Sequence, residues 1–259
     1  MTRFAALVAY DGAGYHGFQR QRAGQPTIQG EIERALTVLS PEPVVITGAG
    51  RTDSGVHALG QVISFTLDWQ HDTASLQRAA NANLAPDIAI LQLKRVTPSF
   101  HPRFDARSRA YEYRIYNAPV RHPVHRLYSW HVPGRLNLAL MTEAAQMLPG
   151  RQNFATFGTP PQGNNCVREV LAARWERRGQ FLVFHIRANA FLFRMVRSIV
   201  GSLKRVGEGA WSVEQFAAVL QAQDRAQSGP AAPPQGLFLT SVEYDESIFD
   251  NDYSGVTGI

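Results

Sequence analysis

The segment TGAGRTDSGVHALGQVISF, residues 47–65, sets Arg51, Asp53 and His57 among four glycines, between the β-branched runs VVIT and QVISF. If Arg51 and Asp53 lie in extended backbone, the period of two sends both side chains to one face, guanidinium beside carboxylate. A cation that close lowers a carboxylate pKa and keeps the group ionised at neutral pH, able to attack an electrophile or accept a proton. The glycines at 48, 50, 55 and 60 would let a bulky ligand approach the backbone, although tight turns use glycine equally often. Asp-Ser-Gly is also a turn signal, so the same residues read as a plain connection.

Two further stretches carry chemistry-bearing types. In SRAYEYRIYN, residues 108–117, Tyr111 and Tyr113 fall on one face of a strand with Arg109 beside them. Aromatic rings and guanidiniums together hold an unstacked base and neutralise its phosphates. The plainer alternative is a strand with its tyrosines in the core and its arginines in water. In ANAFLFRMVRSIVGSL, residues 188–203, Phe191, Met195, Ile199 and Leu203 recur every four residues as a core-facing stripe. Arg194 and Arg197 lie off that stripe, where solvation is the ordinary fate and pairing with a buried Asp the functional one.

Metal and nucleotide-cofactor chemistry find little support. No HExxH or HxxxH pair falls on an expected helix, and the histidines at 122 and 125 sit in a proline-flanked loop. No Walker A or GxGxxG fingerprint opens a helix. The lone Cys166 can form neither an intrachain disulfide nor a cysteine metal site, which suits a reducing compartment. A net charge of +5 favours a polyanionic partner. From Lys94 to Arg135 there are nine Lys or Arg against two acids, Asp105 and Glu112, an excess of seven positive charges. Lys occurs only at 94 and 204, leaving 24 of the 26 basic residues as Arg, which forks onto phosphate and stacks on bases.

The elements that must hold these residues follow from periodicity. Strands are expected at 4–10, 43–50, 60–67 and 88–96, with helices at 28–39 and 75–84 between them. That is β-α-β-β-α-β, the split pattern of a ferredoxin-like sheet. The remainder repeats it, with strands at 109–117, 127–132, 168–177, 181–189 and 236–244 and helices at 137–148, 191–206 and 212–223. The expected organisation is α+β: a half over residues 1–105 carrying the Asp loop, and a half over 106–248 carrying the tyrosine strand and the arginine helix. Both are RRM-like with mainly antiparallel sheets, joined around a central cleft. Residues 249–259 are expected to be a frayed tail. No run reaches the roughly 20 apolar residues of a membrane helix and the start lacks a signal peptide, so a soluble cytoplasmic protein is expected.

Taken in order, YDGAGYHGFQRQ, GRTDSGVHALGQV, RSRAYEYRIYN, ANAFLFRMVRSIVGSL and APPQGLFL resemble the bacterial tRNA pseudouridine synthase A family over nearly the whole chain. The resemblance implies isomerisation of uridine to pseudouridine in the tRNA anticodon stem-loop, at the family's positions 38, 39 and 40, without cofactor or metal. It implies Asp53 as the nucleophile, Tyr111 against the flipped uracil and Arg197 paired with Asp53. It implies Arg51, His57 and Gln61 at the substrate nucleotide, and Gln19, Arg20, Gln21, Arg107 and Arg109 on the RNA. It further implies a homodimer. Ser54 replaces a common Ala and FRMVRS a commoner HHMVRN, so contacts of Phe193, Arg194 and Ser198 do not carry over. Two other readings stay open: an RNA-binding protein without catalysis, which would lack a recognisable RNP1, and a hydrolase using Asp53 and His57.

Overall fold

A computed structural model describes residues 1–22 and 24–249. The tail expected from 249 therefore lies, beyond Phe249, outside the described residues. The chain forms two units, one of Met1–Arg107 with the chain from Leu239, the other Ser108–Phe238. Unit 1 runs β1 (Thr2–Tyr10), α1 (Ile28–Thr37), β2 (Thr47–Gly48), β3 (His57–Leu67), α2 (Thr73–Asn83) and β4 (Ile88–Arg95). Unit 2 runs β5 (Ser108–Tyr116), β6 (Trp130–His131), α3 (Leu138–Ala145), β7 (Gly150–Asn153), β8 (Val167–Arg178), β9 (Phe181–Ala188), α4 (Met195–Gly207) and α5 (Val213–Gln221). The last strand, β10 (Leu237–Glu243), begins in unit 2 and ends in unit 1.

In unit 1 the strands lie in the order β4-β1-β3-β10, with β2 also paired to β3. The β1 pairings to β3 and β4 are antiparallel, as the split β-α-β grammar requires. Alternation along β1 drives one layer of core: Phe4, Ala6 and Val8 are fully buried and Tyr10 nearly so. α1 buries Ile28, Ile32 and Leu36 at four-residue spacing, each contributing on the order of 1.5–3 kcal/mol. The opposite face of β1 contributes Ala5 to a second cluster with Ala49, Val62 and Phe100, against which Val242, Tyr244 and Ile248 pack. Contacts of this kind bring residues from Leu239 into unit 1, whereas the sequence suggested a second half running to 248.

Unit 2 holds the antiparallel order β5-β9-β8-β7, with β6 parallel to β5. α4 buries Met195, Ile199 and Leu203, the expected stripe. It starts at Met195 rather than 191, because Phe193 donates its N–H to Thr159 O at 2.9 Å and Arg194 turns left-handed at φ 62°. Likewise the strand expected at 43–50 shrinks to two residues. The Val44 and Ile46 amides are taken by side chains, Thr37 Oγ1 at 3.0 Å and Glu33 Oε1 at 3.1 Å, so no ladder forms there. The polar edge strand β7 has no apolar period and was not expected; its backbone pairing with β8 makes it. Among the described residues no helix is long and apolar enough to cross a membrane.

Candidate active site

Asp53 is half-buried on a connection that is not a strand. Val56 N–H donates to Asp53 O at 3.1 Å, closing a turn over residues 53–56. Arg51 and Asp53 therefore stand outside any strand, leading into the turn that the Asp-Ser-Gly signal forms. Nearly every neighbour of Asp53 is tied down. Ala49 N–H donates to Val62 O at 2.8 Å, and the Gln61 side-chain amide donates to Gly50 O at 3.0 Å. Thr52 is buried, its hydroxyl 2.8 Å from the Tyr10 phenol at the end of β1, and its carbonyl accepts Phe18 N–H at 3.0 Å. Ser54 Oγ donates to Tyr15 O at 3.1 Å. Phe18 O in turn accepts Gln29 N–H at 2.8 Å and Gly17 O accepts Ile28 N–H at 3.2 Å, so the same loop caps the orphan amides of α1. The Asp53 turn is thus braced by the end of β1, by the 12–18 loop and, through it, by the start of a helix. Arg51 is exposed at its edge.

His57 and Gln61, expected beside the substrate, stand inside the unit, 1% and 0% exposed. His57 Nδ1 lies 3.1 Å from Gly12 N and 3.0 Å from Asp11 Oδ1. With Nδ1 bare the ring accepts the Gly12 amide; with Nδ1 protonated it donates to Asp11. Either way it fastens the 11–12 corner to the foot of β3. Gln61 spends its Oε1 on Val62 N–H at 3.2 Å and its NH2 on Gly50, which makes it a positioning residue for the Arg51 loop.

In unit 2, the two tyrosines of one strand face have different environments. Tyr113 is fully buried, its hydroxyl donates to Pro233 O at 2.8 Å, and burial pushes its phenol well above the usual range, with Arg197 pulling the other way. It is the core residue of the plainer alternative. Tyr111, paired with Ile186 across β9, remains half-exposed, its ring edge-on to Phe191 at 4.9 Å.

Arg197 is not simply solvated. α4 presents Gly201 and Ser202 to the 229–232 backbone, and a Cβ on Gly201 would lie 1.8 Å from Pro230 O. This approach lets Gly229 N–H reach Ser202 Oγ at 3.0 Å and Ala232 N–H reach Arg197 O at 2.9 Å. Arg197 Nε then donates to Ala232 O at 2.7 Å, fixing the guanidinium. The Pro-rich loop is what holds this arginine, a contact the sequence did not reveal. Ser198 is fully buried and accepts Arg225 at 2.9 Å, so the place where FRMVRS departs from the family pattern has its own partner. Arg225 also donates to Thr156 O at 3.0 Å; it too went unexpected, since nothing in its local sequence sets it apart.

The residues expected on RNA differ in how far they are committed. Gln19 is exposed. Arg20, with 62% of its side chain exposed, contacts the nearly buried Glu33 at 3.0 Å, and Gln21 donates to His16 O at 2.6 Å. Arg107 forks onto Asp245 through both Nε and Nη2, which raises the pKa of Arg107 and lowers that of Asp245. Arg109 Nη1 donates to Asn189 O at 2.9 Å. Asp53 belongs to unit 1, and Tyr111 and Arg197 to unit 2.

Comparison with known proteins agrees with the resemblance. The family model described as tRNA pseudouridine synthase matches twice, over residues 6–105 and 144–245. The tRNA pseudouridine synthase A of Pseudothermotoga lettingae is 40% identical over 94% of this chain and 100% of its own. That of Dinoroseobacter shibae is 43% identical over 96% of this chain and 99% of its own, and that of Sinorhizobium fredii 42% identical over 94% and 100%. With both halves matched in order and the ordered motifs lying on the braced Asp loop, the tyrosine strand and the arginine helix, the chain belongs to the tRNA pseudouridine synthase family.

Proposed function

We propose that this protein converts uridine to pseudouridine in the anticodon stem-loop of tRNA, with Asp53 as nucleophile toward a nucleotide swung out of the stem. The reaction breaks the ribose C1′–N1 bond, turns the uracil and joins C5 to C1′; the C5 proton is lost to water and N1 takes one up, so no atom is gained or lost overall. A carboxylate suits the first step because it can trap or stabilise an electrophilic anomeric carbon and leave again with no change of oxidation state. Tyr111 is assigned to the uracil or to the sugar proton, Arg197 to pairing with Asp53, and Arg51 to the extruded nucleotide. Extrusion costs a few kcal/mol, offset by stacking and phosphate contacts. Gln61 and His57 serve by holding the loops rather than by touching the base. The family resemblance adds a homodimer, and the lone Cys166, which suits a reducing compartment, supports a cytoplasmic setting.

The observation that carries this reading is the bracing of the Asp53 turn. Residues 49, 50, 52 and 54 each surrender a backbone or side-chain group to a partner elsewhere in unit 1, the arrangement a nucleophile needs to be held in one geometry. The test is tritium release from tRNA carrying uridine labelled at C5. The wild-type chain should release it, and Asp53→Asn should be slower by more than about a thousandfold while binding tRNA nearly as before. Unchanged turnover in that variant would sink the proposal. Free uracil as product would instead identify a hydrolase.

A further inference from the structure

We infer that Phe104, backed by His101, is a stacking platform for an unpaired base of the RNA; this rests on the reading that tRNA is the substrate. Among the described residues Phe104 is 74% exposed, more than the other exposed Phe or Tyr side chains, Phe193 at 52% and Tyr128 at 38%. It stands on a loop that is otherwise tied down. Phe100 is buried in the second cluster of unit 1, and its carbonyl accepts Arg3 Nε–H at 2.8 Å. The Tyr244 ring lies 5.4 Å from the Phe100 ring, and its hydroxyl donates to Pro102 O at 2.8 Å. Asp105 closes the turn twice, with Oδ2 accepting His101 N–H at 2.9 Å and its own N–H donating to His101 O at 3.1 Å.

His101 is built to support the ring. Its Nδ1 accepts the Arg103 and Phe104 amides, both at 3.2 Å, which puts its proton on Nε2 and fixes the plane of the imidazole. That plane lies against Phe104 at 4.1 Å and 30°. The Arg103 guanidinium sits 5.7 Å from the centre of the same ring. A folded chain gains nothing from holding an apolar ring rigidly in water; a ligand that stacks on it gains a surface whose ordering is already complete.

Charge selects the ligand. The loop lies in the stretch Lys94–Arg135 with its excess of seven positive charges, which favours a partner bearing both a flat ring and phosphates. A second copy of this chain meeting it at this loop would bring the same positive stretch there, which disfavours a contact between copies at Phe104 and leaves the proposed dimer to other surfaces.

The experiment uses the full-length wild type, Phe104→Ala and Phe104→Trp with an unmodified tRNA transcript. It reads Kd by fluorescence anisotropy, particle mass by light scattering and Tm. Phe104→Ala should weaken binding about 5- to 150-fold, the range of one base–aromatic stack, with mass and Tm unchanged, and Phe104→Trp should restore most of the loss. Wild-type Kd in Phe104→Ala, or failure of the Trp variant to recover binding, overturns the inference. So does a lighter particle, which assigns the ring to a contact between copies, or a fallen Tm, which assigns it to the fold. If the wild type binds tRNA and forms pseudouridine, those failures leave the proposed function standing; if it does neither, the function itself has failed.

Discussion

Gly17 shows how one residue serves the candidate site from a distance of 36 positions along the chain. Its φ is +91°, and a Cβ there would stand 2.8 Å from Thr52 O and 3.3 Å from the Asp53 carbonyl carbon. Any side chain meets two costs, a left-handed backbone and a collision with the segment that carries Asp53. Gly17→Ala should therefore lose about 1–3 kcal/mol in a urea melt. Single-turnover pseudouridine formation should fall further than tRNA affinity, since the nucleophile is displaced and the basic surface is not. Equal losses in both would show that the glycine supports the fold alone. Its left-handed φ and its partner, the Thr52 carbonyl, are set by tertiary contact and are not legible in the residues around it. The same holds for Gln61. A glutamine in a β-branched strand reads as a surface or ligand-binding residue until its amide is found on Gly50 O.

The strands of unit 2 raise the matching question for whole elements. Register places Glu112 of β5 opposite His185 of β9, and His185 opposite Arg174 of β8. Glu112, although buried, accepts Arg114 Nε–H at 2.6 Å and has Arg178 at 3.7 Å. Hydrogen bonds from Arg178 and then Arg174 hold the Glu176 carboxyl down at about 2, against the ordinary 4.5. Burial and Arg174 lower the His185 imidazole, whose Nε2 lies 3.2 Å from Glu176 Oε2. Because the folded Glu176 value is depressed, its contribution is complete above about pH 4.5 and disappears as pH falls toward 2. The wild-type Tm should drop across that window, and Glu176→Gln, less stable at neutral pH, should show a flatter profile there. Parallel profiles would refute the assignment. Periodicity gave these three strands within a few residues, since each is long and bordered by turn residues. It gave neither β7 nor the shortening of β2, because hydrogen bonds to β8, Thr37 and Glu33 decide those.

For the molecule as a whole, the dominant physical fact is positive charge, +5 net, with nine of its Lys and Arg between 94 and 135. If that stretch meets phosphate, each contact releases a counterion. Affinity for tRNA should then fall on the order of a thousandfold between about 50 and 200 mM salt for some six contacts, and a flat response would remove the polyanion argument. Arg107 should add less to that slope than its position suggests, since Asp245 already takes both arms of its fork.

Read alone, the chain was enough for the α+β grammar, the apolar stripe of the long helix and the electrostatic bias, because period, turn chemistry and charge are local or additive properties. It was also enough for the family, through ordered motifs spread over nearly its full length. Folding settled which of two tyrosines on one strand face enters the core, that Gln61 and His57 brace loops from within, that Arg197 is held by a proline-rich loop, and that Phe104 is turned outward. Most of these depend on a hydrogen bond or a packing contact between residues far apart in the chain, and such partners are chosen when buried polar groups must be satisfied, a condition that no local pattern records.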